Sequence, residues 1–292
     1  DRAVELRYGP AEDLRDYCRK ARLIQYESWR AMYEAYARFF PEGTGVIAWM
    51  LNNAWPNQVF HLYDWYLRPG GGFYGAQKAC ESIHIQYGYG ENSIWAFNQT
   101  RSPTGHLRAF ARVFDLKLRE LDSGSWELEL AARSGREIAR LEKFDPAGGL
   151  SFVDLTLASA EGLVVSRNFY WLPATDDEFS SVHTFYHTAL RRHADLSALA
   201  ALPPSGVRAE ARFREEGDRV LVEAELANGS ETVCLLAEAL VRDGPGGELV
   251  LPVLWEENMV SLLPGERRSL RGKFHRGGRD LSRLVVELSP FN

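Results

Sequence analysis

Trp49, Asn52, Asn53 and Trp55 bring two indoles and two amides into seven consecutive residues, at the end of the apolar run GVIAWMLNNAWP (45–56). An indole face is a flat apolar platform for the C–H face of a sugar ring, and amides hydrogen-bond hydroxyls as donor or acceptor. The same residue types also suit plain packing, with both tryptophans in a core. Cleaving a glycosidic bond asks for more: two flanking carboxylates, about 5–5.5 Å apart in retaining enzymes and wider in inverting ones. The carboxylates that follow the run are Asp64, Glu81 and Glu91, and none has a partner at a suggestive spacing. Glu27 and Glu34 precede it on a helical stretch, where the hydrophobic period places them toward solvent. These residue types make either a binding surface or a packed core, in both cases without acids for hydrolysis.

Other groupings carry less. His183 and His187, four apart, would share a helix face as metal ligands, but no third ligand accompanies them and a solvated connector is the plainer reading. No metal or cofactor is expected. His61, Tyr63 and Asp64 read either as a polar cluster beside the run or as a self-bonded capping loop. Asp176-Asp177-Glu178 and Glu256-Glu257 read as solvated charge. RPGGG (68–72) lacks the lysine and spacing of a phosphate loop, and no Gly-x-Ser-x-Gly elbow occurs. Cys18, Cys80 and Cys234 are too scattered for a disulfide framework or a metal pair, so free, buried thiols are expected.

A scaffold has to hold the indoles and amides in place. In PAEDLRDYCRKARLIQYESWRAMYEAYARFF (10–40), Leu14, Tyr17, Cys18, Ala21, Ile24, Ser28, Met32, Tyr36 and Phe39 recur every three or four residues, which predicts a helix burying that stripe. The following GVIAWML has no polar alternation, as in a parallel strand covered on both faces. Trp49 then points inward, and Asn52, Asn53 and Trp55 lie at the strand's C-terminal end, where α/β barrels keep substrate-contacting groups. One helix and one strand cannot close a sheet. Residues 1–75 are therefore expected to be the last helix and strand of a larger α/β domain, with apolar surface that self-association or the rest of that domain covers.

From residue 76 the texture is β. SIHIQY, SIWAFN, LRAFARVFDLKL, SWELELAA, LSFVDLTLA and GLVVSRNFYWL predict an antiparallel sandwich over 76–173, with Leu116, Leu118, Leu121, Leu128 and Leu130 facing inward. Residues 174–206 read as a connector ending in Pro203-Pro204, and 207–292 as a second sandwich with turns at Asn228-Gly229 and Gly244–Gly247. No convincing sequence repeat links the two. A length of 292 residues suits two or three such units. The net charge of −6 argues against a nucleic-acid partner, and no apolar run approaches the ~20 residues of a membrane span. The chain opens on Asp1 with no initiator Met or signal sequence, so a removed leader or a piece of a longer protein is expected and the compartment is not read from it.

Four separated stretches resemble one family. TGVIAWMLNNAWPNQVFHLYDWYLRPGGGFYGAQKACESIHIQY (44–87) resembles the segment closing the catalytic barrel of glycoside hydrolase family 2, in its exo-β-D-glucosaminidase branch, with β-mannosidases as relatives. SRNFYWLP (166–173), HADLSALAALPP (193–204) and LWEENMVSLLPGE (254–266) resemble motifs of the two immunoglobulin-like domains that follow that barrel. The resemblance implies a mainly β chain: the C-terminal remnant of an α/β (TIM) barrel, then two immunoglobulin-like β-sandwiches. It implies retaining exo-glycosidases whose two catalytic glutamates follow the fourth and seventh barrel strands, upstream of the helix that opens this chain. It places Trp49 in the pocket for the terminal sugar, with Asn53 and Trp55 at neighbouring motif positions. One departure is Glu256-Glu257 before Asn258, where the family often has Asp, which leaves the role of Glu257 open.

The function so implied is the C-terminal part of an enzyme releasing β-linked glucosamine from chitosan-type oligomers, inactive by itself, with a carbohydrate and the upstream part of the same enzyme as partners. A β-mannosidase is the neighbouring alternative. A carbohydrate-binding or structural module without hydrolysis comes from a different class, and an autonomous enzyme using Glu81 or Glu91 is the third reading. Secretion or a periplasmic place follows only by analogy with polymer-degrading enzymes.

Overall fold

Asp13 opens the longest element by accepting the Asp16 N–H (2.7 Å) on its side chain, a cap for one of the unpaired donors of a first helical turn. The helices are α1 (Arg2–Tyr8), α2 (Leu14–Arg38) and α3 (Gly71–Ala79). The computed structural model describes residues 2–55, 61–141, 149–183 and 188–292. It is mainly β, 44% strand and 18% helix.

The face that α2 buries differs from the expected stripe. Leu14, Ser28, Met32, Tyr36 and Phe39 are exposed, whereas Leu23, Tyr26, Glu27, Trp29, Arg30 and Glu34 are buried. A hydrophobic period counts apolar residues only. Here Arg30 and Glu34 find hydrogen-bond and charge partners inside, and the interior accepts them for that reason.

Residues 45–51 form no strand, which corrects the parallel strand expected there. Ile47 is 95% and Trp49 78% exposed, so Trp49 does not point inward. A parallel strand needs ladder neighbours to satisfy its backbone. Among the described residues no strand runs beside this segment; a single parallel bridge, Asn52 to Tyr63, is its nearest pairing.

Contacts divide the chain into two units. The first comprises Asp1–Tyr17, Arg30–Ile47 and Lys78–Ala201. Its strands are β1 (Ile83–Gly88), β2 (Ser93–Asn98), β3 (Leu107–Asp115), β4 (Glu120–Leu128), β5 (Ser134–Arg140), β6 (Leu150–Ser159) and β7 (Val164–Pro173). They form sheets of order β1-β2-β5 and β4-β3-β6-β7, all antiparallel. Alternation puts Leu107, Ala109, Ala111 and Val113 on the core face of β3, the last three in register with Leu157, Leu155 and Val153 of β6. Leu128 and Leu130 are buried as expected, but Leu121 is exposed and Leu116 and Leu118 only half-buried. The cause is a turn after Asp115, with Leu118 at φ 59° and its N–H on the Asp115 carbonyl, which breaks the period of two.

The expected connector holds a hairpin, β8 (Glu178–His183) and β9 (Thr188–Arg192), followed by a 3-10 turn over Ser197–Ala201. Asp177 is no solvated charge: it takes two bonds from Arg7 (2.5 and 2.7 Å) and one from the Ala194 N–H (2.8 Å), tying α1 to this region.

The second unit comprises Cys18–Trp29, Ala48–Gln77 and Leu202–Asn292. Its strands are β10 (Val207–Glu216), β11 (Arg219–Asn228), β12 (Cys234–Asp243), β13 (Leu254–Trp255), β14 (Val260–Leu262), β15 (Arg267–His275) and β16 (Leu284–Ser289). The sheets run β10-β11-β15-β13 and β14-β12-β16. Val220, Val222, Ala224 and Leu226 alternate into the core from β11. β12 is buried almost throughout, including Glu238, whose carboxylate takes Arg22 (2.6 Å) and Arg68 (3.3 Å).

One local hydrogen-bond pattern occurs in both sandwiches. Asn98 ends β2, which lies between β1 and β5, and Asn228 ends β11, which lies between β10 and β15. Asn98 donates to the Ser102 and Leu130 carbonyls and accepts from Thr100; Asn228 donates to the Thr232 and Leu262 carbonyls and accepts from Ser230. In both, a buried amide satisfies the loop leaving its strand.

Candidate functional site

Trp49, Asn53 and Trp55 sit on the irregular segment around the Asn52–Tyr63 bridge. Trp49 and Trp55 are exposed, the latter by 61%, while Asn53 is buried and its Oδ1 accepts the Ala54 N–H (3.0 Å). The bridge, together with the Leu62 N–H on the Leu51 carbonyl (3.1 Å), lays this segment beside the Tyr63–Pro69 turn. That turn exposes Trp65 and Tyr66, two further aromatics whose signal in the sequence is only their place in the 44–87 stretch. Asp64 is consumed by the turn itself: its Oδ1 accepts the N–H groups of Tyr66 (2.8 Å) and Arg68 (3.1 Å). So the capping reading holds for Asp64, and His61 is buried rather than offered to a ligand. The segment presents open indole faces and no spare carboxylate among its described residues. Exposed indole faces of this kind suit stacking against a ring.

Glu81 and Glu91, the acids of the third reading, are placed differently. Glu81 accepts from Lys78 Nζ (2.7 Å) and Ser166 Oγ (2.6 Å) and meets His84 Nδ1 at 3.0 Å. Burial by itself would raise its carboxyl, but the His84 hydrogen bond and the Lys78 and His84 charges outweigh that and hold it at about 2. A carboxyl held so low is no general acid near neutral pH. Glu91 is exposed and receives only a long bond from Ser93 Oγ (3.5 Å).

Glu34, expected toward solvent, lies at the centre of a buried network in the first unit. Its Oε1 accepts from Asn168 Nδ2 (2.8 Å) and Tyr170 Oη (2.8 Å) and meets His84 Nε2 at 3.1 Å. Arg30 lies over the Tyr170 ring, 4.0 Å from its centroid, and donates to Asn168 Oδ1 (2.8 Å) and the Phe169 carbonyl (2.7 Å). Burial would depress the His84 imidazolium, yet hydrogen bonds and negative charge from Glu34 and Glu81 raise it overall. Burial, then the Glu34 charge, pushes the Tyr170 phenol well up. A serine, a histidine and two glutamates in one cluster invite comparison with a hydrolytic triad. The wiring differs: Ser166 Oγ accepts from the Ile85 N–H and donates to Glu81, whose carboxyl, held at about 2, is too weak a base to activate it. The network is a structural tie. Its signal in the sequence was the polar alternation His84, Gln86 inside β1 and Ser166, Asn168, Tyr170 inside β7, at odds with a plain core strand.

The remaining candidates resolve individually. His183 belongs to a strand rather than a helix, and His187 lies outside the described residues. No group of three or more metal-ligating side chains occurs among the described residues. Glu257 is paired with Arg268, while Asn258 is the buried partner of the Ala239 backbone (2.8 and 3.0 Å). Cys18, Cys80 and Cys234 are free thiols, but only Cys234 is buried and Cys80 is exposed. Gly71 and Gly72 of RPGGG serve packing: a Cβ on Gly71 would stand 2.2 Å from the Arg22 carbonyl oxygen, and one on Gly72 2.6 Å from the Trp29 ring.

Comparison with known proteins gives this geometry a family context. Residues 185–292 match the exo-β-D-glucosaminidase Ig-fold domain. The whole chain is 31% identical to an exo-β-D-glucosaminidase of Arthroderma benhamiae and 34% identical to one of Streptomyces avermitilis, spanning 33% of the length of each. It is similar along its entire length to the solved exo-chitosanase of Amycolatopsis orientalis, with TM-score 0.94, 32% identity and 35% of that chain covered. A β-D-mannosidase of Dictyoglomus thermophilum shares the fold, with TM-score 0.70 at 17% identity over 98% of this chain and 31% of that one. The chain is thus a homologue of the C-terminal third of proteins named exo-β-D-glucosaminidase, and its residues 185–292 match their Ig-fold domain.

Proposed function

We propose that this chain forms the C-terminal third of a retaining exo-glycosidase that removes β-linked glucosamine from the ends of chitosan-type oligomers. The observation that carries it is similarity over the full chain, above 30% identity, to proteins named exo-β-D-glucosaminidase; the Amycolatopsis enzyme has also been solved in complex with PNP-β-D-glucosamine. The resemblance puts both catalytic glutamates in the part of such enzymes that these residues do not span, in keeping with the absence of a free carboxylate beside Trp49 and Trp55 among the described residues. In this reading residues 1–75 complete a catalytic barrel, 76–173 and 207–292 are the two sandwiches joined through 174–206, and Trp49, Asn53 and Trp55 line the terminal sugar's pocket. Ile47, Trp49, Met50, Leu51 and Trp55 are exposed apolar side chains in one stretch, the surface that the rest of the enzyme, or a second copy in its absence, would cover.

The test is hydrolysis of an aryl β-D-glucosaminide and the matching β-mannoside by this chain, alone and mixed with the complementary two thirds of an exo-β-D-glucosaminidase. Turnover of the glucosaminide only on mixing is the expected result. Preferential turnover of the mannoside would move the assignment to the neighbouring activity, and turnover by the chain alone would mean that it holds its own catalytic acids. In the mixed enzyme, Trp49→Ala should lower kcat/KM by roughly tenfold or more, the loss of one aromatic platform.

A further inference from the structure

A cleft lies in the first unit, formed by the end of α2, residues 43–46, the C-terminal half of β2 and the start of β5. Its volume is about 520 Å³, within the ~300–1,000 Å³ of sites that hold small molecules. Tyr33, Tyr36, Trp95 and Phe97 supply aromatic wall. Trp95 and Phe97 are stacked, 5.9 Å between centroids at 15°, and the Trp95 indole is fixed by its N–H on Ser93 Oγ (2.9 Å).

The charge of this cleft sets it apart from the rest of an acidic chain. Arg38 and Arg133 line it, and no carboxylate does among the described residues. Nη1 of Arg38 is buried, with no hydrogen-bond partner. Buried guanidinium donors are ordinarily matched by acceptors. Arg133 is held by a fixed turn, at φ 52° with its N–H on the Thr100 carbonyl (3.1 Å), and its side chain is exposed. Two arginines in the lining of a cleft that also holds stacked rings suit a carboxylate attached to a ring: the fork geometry of arginine takes two carboxylate oxygens, and the aromatic faces take the ring.

We infer that this cleft, which none of Trp49, Asn53 and Trp55 lines, is a binding site for a small ring-bearing carboxylate. A cationic amino sugar is disfavoured here by both arginines, so the site does not duplicate the one proposed for glucosamine. The ring is either aromatic or a sugar acid, and the shared requirement is one carboxylate on a six-membered ring.

Cys80 lies on the cleft wall and is a free thiol, which gives a direct readout. The rate of Cys80 alkylation in the 292-residue chain would be followed by peptide mass mapping, with Cys18 as internal control. Benzoate, D-glucuronate, glucose and glucosamine would each be titrated. The expected result is slowing of Cys80 by benzoate or D-glucuronate, with neither glucose nor glucosamine protecting and Cys18 unchanged; which acid protects identifies the kind of ring. Arg38→Gln and Arg133→Gln should each raise the half-protecting concentration about tenfold, the size of one charge-assisted contact. Arg133 is exposed, so its variant folds even where the Arg38 variant does not. No protection by either acid, equal protection by glucose, or unchanged protection in Arg133→Gln would overturn the proposal.

Discussion

Glu34 shows how one side chain can decide the interior around it. Its Oε1 gathers Asn168, Tyr170 and His84, and its charge faces that of His84 and the Arg30 guanidinium stacked on Tyr170. Replacing one member of a buried charged set leaves the others uncompensated, so Glu34→Ala should cost about 3–5 kcal/mol, read as a shift in urea unfolding. Glu34→Gln, which keeps an acceptor, should cost less. The same cluster sets a pH window. His84 is raised above its ordinary 6.5 by folding, so the stability it contributes is complete below about that pH and is lost as pH climbs through the folded value. Glu81 is lowered from 4.5 to about 2, so its contribution is complete above 4.5 and disappears as pH falls toward 2. Stability from this cluster is therefore greatest between these limits. His84→Gln should flatten the alkaline limb of urea midpoint against pH; an unchanged limb would show that His84 is neutral in the fold.

At the scale of elements, α2 and α3 approach backbone to backbone in the second unit. A methyl at Gly71 would meet the Arg22 carbonyl oxygen at 2.2 Å and the Tyr26 nitrogen at 3.0 Å, and neither is a flexible side-chain tip. Gly71→Ala should therefore separate the helices and destabilise by about 1–3 kcal/mol in a thermal melt, as overpacking does. A methyl at Gly45 would meet no atom within 4 Å, so Gly45→Ala serves as the matched control, expected within about 0.5 kcal/mol of the parent. A Gly71→Ala melt equal to that control would mean that the helices part without cost. The strands obey a simpler rule. β11 alternates core and solvent along its length, while β12 is buried on both faces because Arg22 and Arg68 neutralise the one acid it carries inward.

At the scale of the molecule, exposed apolar area accumulates in one stretch of chain. Ile47, Trp49, Met50, Leu51 and Trp55 lie open to solvent while the sandwich interiors are closed. Isolated exposed apolar residues are ordinary, but a contiguous set with two indoles favours association. Sedimentation velocity should show self-association that rises with concentration, and Trp49→Ser combined with Trp55→Ser should reduce it. A monomer at every concentration would remove self-association from the proposal and leave the rest of the enzyme as the covering surface.

Strand content, the two β series and several strand limits were legible from alternation alone; β2 was read as SIWAFN and runs over those same residues. The family was legible in four motifs, because side chains that shape a site or a tight core leave little freedom of type. What the sequence could not decide were contacts between distant segments. The true buried face of α2 depends on His84, Asn168 and Tyr170, at least 50 residues from Glu34 along the chain, and periodicity counts no partners. β5 and the β8–β9 hairpin are too polar for an alternation test and exist because neighbouring backbone offers hydrogen bonds. Conversely, GVIAWML is a strand by composition only: burial and pairing make a strand, and both must come from other segments. The sequence by itself determined which residue types stand next to one another; tertiary structure alone decided which charges are matched, because a buried charge is tolerable only where the fold brings its partner.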